Sequence, residues 1–594
     1  KLKEILDDCG ESGYISETHK LNSQLADSLQ ALQAEVNADP EAMLRVVTES
    51  VKVSDLLDEK TFSTFIEQNA NSNVVQQNQN WQIYFDIQVK KIGVNYLVNA
   101  YLVNNSTVFY SNAHRSRNND KFTIETLFNS GIRVDLGAAN FFPIELDSFA
   151  DDYKYDKDQY ALSNNCSVEY LKDENALQTN HLPLYEQYRL ITNDRLAVKF
   201  ADLIEDPLKT LEGILVEMRH ELDAWKRYRQ QKDPTLTPAG KEKLLCEIRG
   251  FEDEISNFEL GNNVLKSFPL VRESFIQMNQ AFAASAKGYY TWRLFQIVFI
   301  VSMLPDIVAC DPDMMSEEEK AESHLSSIAL LYFPTGGGKT EAFLGVLVFN
   351  LFFDRHRGKR CGVTSILRYP LRLLSVQQIQ RLANILAQAE LIRRVDPSIT
   401  QTEEFSLGYF VGDNNTPNSM NAKEYARYRE MTQTQRDEHR ILDLCPFCGK
   451  TTVHLDAVEE IGRLVHYCDN PDCLSGRILP IYVVDTEIYR YLPSAIISTV
   501  DKFAIIGCNA NFRNVLNGAE YKCPIHGYTS KRKCIDSNCK FEADRFEQVD
   551  MYDPAPTLFI QDELHLMRES LGAYASHYES FIEYYVKHFS KSKR

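Results

Sequence analysis

Hydrophobic and polar positions change their period several times along the chain, and each change predicts a different kind of structure. Leucines recur at helical spacing between residues 21 and 32, which predicts a helical arm over residues 1–75. From residue 81 to 102, apolar residues alternate with polar ones on both sides of a Lys-Lys-Ile-Gly turn. This alternation is typical of a β-hairpin with one buried face.

The hairpin lies in a longer region of short β-like runs and turn clusters. Together they predict an all-β, sandwich-like module over residues 76–183. Over residues 184–285 the apolar period becomes helical, on both sides of a Pro-rich turn at residues 233–238. The two stretches predict an antiparallel helical hairpin.

Short apolar runs separated by helical patterns dominate residues 286–594, which is typical of an α/β domain with a parallel sheet. Each run is followed by polar or glycine-rich residues, where ligands bind in such sheets. The runs that predict buried strands are 328–333, 361–367, 405–411, 494–499 and 557–561.

The first of these runs leads into a glycine loop and then into a helical pattern. Backbone N–H groups of such a loop can cradle a polyphosphate, a lysine can reach the β- and γ-phosphates, and a threonine hydroxyl suits Mg²⁺. Phe333 stands where the strict GxxxxGK[ST] motif has its first glycine. The candidate residues for binding ATP are Thr335, Gly336, Gly337, Gly338, Lys339 and Thr340, with Gln296 upstream as a candidate for the adenine edge.

The last apolar run ends in two acids, which a nucleotide site needs opposite a phosphate loop. Asp562 can hold Mg²⁺ together with Thr340, and Glu563 can orient and deprotonate the attacking water. His565 is a candidate for sensing the γ-phosphate. We therefore expect a RecA-like P-loop domain of the DExH type, with Lys339 and these three residues as its catalytic set.

Two other strand ends carry polar and basic residues that can donate to nucleic-acid phosphates. They resemble motifs Ia and Ib of superfamily-2 helicases. The candidate nucleic-acid contacts are Arg368, Arg372, Gln377, Thr499 and Lys502.

Eight metal-ligand residues form two clusters inside this domain, at about residues 440–480 and 515–545. Cys445, Cys448, Cys468 and Cys473 form the first cluster, and Cys523, His526, Cys534 and Cys539 form the second. Because each cluster supplies four protein ligands, the two clusters predict two structural Zn²⁺ sites without a catalytic water. Ligand pairs could exchange between the sites, and disulfides are the competing interpretation.

Composition limits the classes of protein only weakly. The net charge of −19 argues against non-specific coating of nucleic acid, although a local basic groove remains compatible with it. The apolar run at residues 292–304 is shorter than the ~20 residues that a membrane span needs. With no signal-peptide pattern and with thirteen cysteines partly at metal-ligand spacing, we expect a cytoplasmic protein without membrane contact.

Several motifs together resemble one family. FPTGGGKTEAFLG, RYPLRLLSVQQIQR, CPFCG, STVDKFA and FIQDELHLMRESLG are similar to segments of the DrmA family, the helicase-like subunits of DISARM anti-phage defence systems. The resemblance implies a bacterial cytoplasmic subunit that binds ATP and DNA, either single-stranded or duplex with a single-stranded end. It also implies a DrmB-like partner protein.

The chain departs from helicases in one respect, because no second RecA lobe with arginine fingers follows Glu563 in this sequence. We expect a chain of this extent to bind ATP, to hydrolyse it slowly and not to translocate. One alternative is a nucleotide-gated module that binds DNA or a partner without motor activity. Another is a zinc-containing DExH repair helicase or an RNA helicase.

Overall fold

The computed structural model describes five stretches of the chain, which divides into two compact units, Lys1–Tyr188 and Arg189–Arg594. The described stretches are 14–20, 83–104, 130–142, 160–180 and 196–589. Short gaps within them lie at 93, 136, 138–139, 235, 237, 312, 317–319, 321–322, 324–327, 334–336, 413–415, 505, 537–538 and 568.

Two three-stranded antiparallel sheets make up the described part of the first unit. The strands are β1 (Tyr14–Lys20), β2 (Ile83–Ile92), β3 (Asn95–Asn104), β4 (Arg133–Asp135), β5 (Ser167–Leu171) and β6 (Ala176–Asn180), in the orders β1-β2-β3 and β4-β6-β5. Ile92 pairs with Asn95 at the end of the β2–β3 ladder. The predicted hairpin is therefore confirmed, but Lys90, Lys91 and Ile92 of the predicted turn lie in β2.

The strand β1 differs from the helical arm predicted for residues 1–75. Its seven residues pair with β2 from Tyr14↔Lys90 to Lys20↔Tyr84. This ladder to a strand distant in sequence determines its conformation, and short-range periodicity carries no signal of it. The leucines that predicted the helix lie outside the described residues.

The second unit begins with a helical region. Its elements are β7 (Val198–Lys199), α1 (Phe200–Glu205), α2 (Pro207–Lys232), α3 (Pro238–Ser267), α4 (Pro269–Ser285), β8 (Thr291–Trp292), α5 (Leu294–Ser302) and α6 (Leu304–Ala309). The helices α2 and α3 are antiparallel, as predicted, with their apolar faces in the core. Exposed ion pairs follow their register and add little stability: Glu212–Lys266, Arg219–Glu259 and Lys226–Glu252.

The apolar run at residues 292–304 is divided among β8, α5 and the start of α6, where Pro305 lies in the first turn. No helix in the described part of the chain is long and apolar enough to span a bilayer.

The remaining elements of the second unit are a mixture of helices and strands. They are α7 (Lys339–His356), β9 (Ser365–Tyr369), α8 (Arg372–Val395), β10 (Leu407–Phe410), α9 (Ala422–Glu430), α10 (Gln433–Asp437), β11 (Val453–Val458), β12 (Arg463–Cys468), β13 (Ile481–Tyr482), α11 (Asp485–Tyr491), β14 (Ala495–Thr499), α12 (Val500–Phe503), α13 (Arg513–Asn517), β15 (Tyr521–Cys523), β16 (Gly527–Thr529), β17 (Glu547–Gln548), β18 (Leu558–Gln561) and α14 (Glu569–Phe589). Short 3₁₀ turns lie at Lys172–Glu174, Glu459–Ile461, Ile506–Cys508, Ala510–Phe512, Ala543–Arg545 and Leu564–Leu566.

Five parallel strands form the central sheet, in the order β13-β10-β14-β9-β18. Alternate residues of a strand face opposite sides of a sheet. Leu367 and Tyr369 accordingly pack in the core cluster that contains α7 and α8, and Ile366 packs in the cluster that contains Phe512 and Ile582. The mixed α/β architecture with a parallel sheet is therefore as predicted.

One predicted strand is not formed. Residues 328–333 pair with no described strand, and Ile328 and Tyr332 are 88% and 91% exposed. Among the described residues, β18 is the edge of the sheet on that side. The prediction for this run was wrong, because an apolar run forms a strand only where a neighbouring strand offers hydrogen bonds.

A buried ion network closes the end of the sheet where β9 and β18 begin. Lys359 is fully buried, and its ammonium group donates to the carbonyls of Val363 at 2.9 Å and Ala555 at 2.8 Å. It also lies 3.4 Å from Asp354, which binds Arg357 at 2.6 Å. Burial alone would raise the pKa of Asp354, but these two cations lower it instead.

Candidate functional site

The glycine loop ends at the amino terminus of α7. Gly338 precedes the helix with φ +93°, a conformation that favours glycine, and Lys339 is its first residue. The N–H groups in the first turn of a helix lack helical partners and favour anions. Thr340 lies in this turn, whereas Thr335 and Gly336 lie outside the described residues.

Gln296 holds this loop in place. Its side-chain amide donates to the carbonyl of Gly338 at 2.8 Å and accepts from the backbone N–H of Arg293 at 2.9 Å. The Arg293 guanidinium in turn donates to the carbonyl of Gly337. The sequence thus identified the upstream residue that contacts the loop, and its role toward adenine stays a prediction.

Asp562 lies next to β9 on the side of the sheet that carries α7. Its N–H donates to the carbonyl of Arg368 at 3.0 Å, which continues the β9–β18 ladder. Burial and the charge of Glu563 raise the pKa of Asp562, while the charges of Lys339 and His565 oppose that rise. Lys339 and Asp562, far apart in sequence, are therefore within electrostatic range of each other.

The turn after β18 fixes the other two residues of this set. Glu563 has φ +49°, and its N–H donates to the Asp562 carboxylate at 2.9 Å. His565 Nδ1 lies 3.1 Å from Glu563 Oε2, with the imidazole largely exposed. The carboxylate can therefore orient the histidine or a water molecule in the same position.

Tyr369 is a residue of this site that the sequence did not single out. It ends β9 at the level of Asp562, and the charge of Asp562 reinforces the effect of burial in raising the pKa of the phenol. The side chain is 1% exposed, and its hydroxyl has no hydrogen-bond partner among the described residues. A buried hydroxyl without a partner costs stability, which is the signal that points to a missing ligand or water.

The basic residues at the strand ends are buried in ion pairs. Arg368 binds Glu579 of α14 at 2.5 Å, and Lys502 binds Asp485 of α11 at 2.6 Å and the side chain of Asn418 at 2.9 Å. Arg368 and Lys502 are 5% and 4% exposed. In this conformation, carboxylates hold both cations, and their contact with nucleic-acid phosphates stays a prediction.

The three other residues that were predicted to contact nucleic acid differ from one another in their exposure. Thr499 is buried and caps α12 by accepting from the N–H of Lys502 at 3.4 Å. Gln377 is exposed on α8. Arg372 begins α8, and its side chain lies outside the described residues.

The first tetrad surrounds the β11–β12 hairpin. It comprises Cys445, Cys448, Cys468 and Cys473, whose sulfur atoms lie within 4.8 Å of one another. The Cys445–Cys473 and Cys448–Cys468 sulfur pairs are 3.5 and 3.7 Å apart. Burial opposes ionisation of Cys448, but the backbone N–H of Lys450 and neighbouring thiols lower its pKa to about 6. Burial instead raises the pKa of Cys445 and Cys468, so a bound cation would be needed to hold all the sulfur atoms in the thiolate form.

The second tetrad surrounds the β15–β16 hairpin. It comprises Cys523, His526, Cys534 and Cys539, again with all ligand atoms within 4.8 Å of one another. The Cys523 sulfur lies 3.8 Å from that of Cys539 and 3.6 Å from His526 Nδ1. The two ligand sets are grouped as the spacing predicted, without exchange of partners.

These separations test whether a metal ion fits. Tetrahedral Zn²⁺ with Zn–S bonds of about 2.3 Å places sulfur atoms about 3.8 Å apart, whereas a disulfide needs about 2.05 Å. The observed sulfur distances of 3.5, 3.7 and 3.8 Å fit the first geometry. Both tetrads could hold a metal ion with four protein ligands.

Comparison with known proteins adds one relative. No protein-family profile matches the chain. The DISARM protein DrmA of Bacillus paralicheniformis is 33% identical over 311 residues. Over this stretch the chain is similar to that DISARM protein. The match covers 49% of this chain, which spans 27% of the length of that relative.

Proposed function

We propose that this protein is an ATP-dependent, DNA-binding or DNA-translocating helicase-like subunit of a bacterial anti-phage defence complex, in which translocation would be an activity of the whole protein. The placement of two residues supports the enzymatic part: Lys339 begins α7 directly after the glycine loop, and Asp562 follows β18, where its N–H donates to the carbonyl of Arg368 in β9. A lysine at a helix amino terminus opposite an acid at a strand end is the arrangement that phosphoryl transfer requires.

The site would bind ATP through its own residues in definite roles. The first-turn amides of α7 and Lys339 would hold the phosphates, and Thr340 and Asp562 would hold Mg²⁺. Bound Mg²⁺ would neutralise charge that develops on the phosphates. Glu563 would orient the attacking water and take its proton, and His565, in contact with Glu563, would respond to the phosphates.

Two features of the structure fit such a ligand. Burial raises the pKa of Asp562, so a nearby cation would restore the carboxylate form that binds Mg²⁺. The Tyr369 hydroxyl has no partner among the described residues and lies on the same face of the sheet, where it could donate to a water held by Asp562. We therefore include Tyr369 as a positioning residue of this site.

The assignment to anti-phage defence rests on the similarity to the DISARM protein DrmA. DNA and a DrmB-like protein are accordingly the proposed partners, and the two tetrads are proposed to hold structural Zn²⁺. The cytoplasm is the compartment that agrees with reduced cysteines at metal-ligand spacing.

The second candidate function is a nucleotide-gated module that binds DNA or a partner without motor activity. The burial of Arg368 and Lys502 favours this candidate, because a change of conformation would have to release both cations before they could contact phosphates. A zinc-containing DExH repair or RNA helicase is a third candidate, which nucleic-acid preference would distinguish.

Phosphate release by the full-length protein tests these candidates, with single-stranded DNA, duplex DNA, RNA or no nucleic acid. We expect stimulation by DNA that Glu563→Gln abolishes while ATP binding persists, and that the exposed-site control Glu583→Gln leaves unchanged. ATP binding without stimulated turnover would favour the gated module. Stimulation by RNA alone would favour the third candidate, and full activity of Glu563→Gln would refute the site.

A further inference from the structure

The helix α11 lies between the two tetrads and is anchored in the central sheet at both ends. It follows β13 and precedes β14, and five of its seven residues are buried. Asp485 at its start binds Lys502 at 2.6 Å, and the N–H of Thr486 donates to the carbonyl of Asn418. The helix is therefore a fixed support against which both tetrads pack.

Two hydrogen bonds attach α11 to the hairpin of the first tetrad. The Glu487 carboxylate accepts from the N–H of Leu464 at 2.7 Å, and the Arg490 guanidinium donates to the carbonyl of Gly462 at 2.6 Å. Gly462 is the turn of the β11–β12 hairpin, and β12 ends in the ligand Cys468.

The same arginine also binds the loop of the second tetrad. Its guanidinium donates to Asp536 at 3.0 Å, and both side chains are buried. The N–H of Asp536 donates in turn to the sulfur of the ligand Cys534 at 3.4 Å. Beside them, the Tyr491 hydroxyl donates to the carbonyl of Ile525, next to the ligand His526.

The two tetrads also meet directly at Gly462. A Cβ atom added there would fall against the Asp536 carboxylate and 3.3 Å from His526 Cδ2, and φ is +64°. The hairpin turn of the first tetrad thus packs against a ligand of the second, in a space that only glycine fits.

We propose that α11 couples the two tetrads into one cooperative metal-binding unit, with Arg490 and Asp536 as positioning residues. If the second tetrad loses its metal and its loop moves, the buried guanidinium of Arg490 loses its carboxylate, which is costly. Residues that orient the ligands of a metal contribute to its affinity. Loss of the metal from one tetrad therefore lowers the metal affinity of the other tetrad. This coupling is independent of nucleotide binding.

Metal release from the full-length protein provides the test. The protein is loaded with Co²⁺, because all-cysteine and mixed cysteine–histidine sites differ in their visible spectra, and release to a chelator is followed for each tetrad. Gly462→Ala leaves all eight ligands intact, and we expect it to release metal from the second tetrad at least about tenfold faster. Gly476→Ala is the matched control, since φ is +77° there but no atom lies within 4 Å of an added Cβ.

Two further variants keep the proposal testable if Gly462→Ala fails to fold. Cys448→Ser should accelerate release from the second tetrad by a similar factor. Arg490→Met should weaken both tetrads, whereas Arg429→Met, which removes an exposed ion pair with Glu459 near the same turn, should weaken neither. Unchanged release from the second tetrad in Cys448→Ser, or equal effects of the two arginine variants, would overturn the coupling. So would a wild-type protein that binds no metal.

Discussion

The stability of the structure around Glu487 should depend on pH, and the dependence follows from the surroundings of this side chain. The side chain is fully buried, and burial raises the pKa of its carboxyl group to about 7, although Arg463, Arg490 and the N–H of Leu464 all favour the ionised form. The ordinary pKa of this group is 4.5. The folded protein therefore holds the proton more tightly than the unfolded chain does.

The sign and size of the effect follow from this difference. The stabilisation is fully present below the unfolded pKa and is lost as the pH rises from 4.5 to about 7. At about 1.36 kcal/mol for each pKa unit, the free energy of unfolding falls by about 3 kcal/mol. The equilibrium constant for opening of the structure around Glu487 therefore rises by about two orders of magnitude. Glu487→Gln keeps an acceptor for Leu464 without a charge, so it should remove this dependence.

Hydrogen exchange measured by mass spectrometry on peptides that cover β12 can detect the change. At about pH 4 the variant and the wild type should be protected nearly alike, whereas at about pH 8 the variant should be protected at least about a hundredfold more. Comparison at equal pH cancels the intrinsic exchange rate. Glu459→Gln, at an exposed position of the adjoining turn, is the control. Equal protection of variant and wild type at pH 8 would refute the argument.

Three further predictions concern the candidate sites. Lys339→Ala should abolish ATP binding measured by calorimetry, and near wild-type affinity would contradict the phosphate-loop assignment. Tyr369→Phe should lower kcat about fivefold, as expected for one lost hydrogen bond, with little change in KM for ATP, and it should raise the Tm of the nucleotide-free protein because it removes a buried hydroxyl without a partner among the described residues; an unchanged kcat would remove Tyr369 from the site. Cys448→Ser should lower the zinc content measured by mass spectrometry, in contrast to the exposed, non-ligand Cys246→Ser.

Local signals predicted the elements whose conformation depends on their own residues. The β2–β3 hairpin follows from alternation, the α2–α3 pair follows from helical spacing, and both tetrads follow from ligand spacing. The run at residues 328–333 has the same local signal as the other strands, but a strand also needs a neighbour. Periodicity contains no information about that neighbour.

The environment of the site was less predictable because it depends on distant residues. Arg368 was correctly placed at a strand end, yet its partner Glu579 is 211 residues away in sequence, and nothing local indicates that the two charges pair. The same holds for Lys502 with Asp485 and for the role of α11 between the tetrads. Charge type predicts that a residue can bind a phosphate, but only tertiary structure decides whether a carboxylate already occupies it.

Because the ammonium group of Lys359 is enclosed, the chemical reactivity of this lysine reports on the conformation of the protein around it. Amine-reactive acylating reagents modify exposed lysines quickly, but they can reach Lys359 only when the segments of Val363 and Ala555 separate. The extent of acylation of this one lysine, measured by peptide mapping, therefore counts openings of the sheet at the end remote from the phosphate loop. This measurement needs no engineered label. It would show whether nucleotide or DNA makes the sheet open more or less often at the end where β9 and β18 begin.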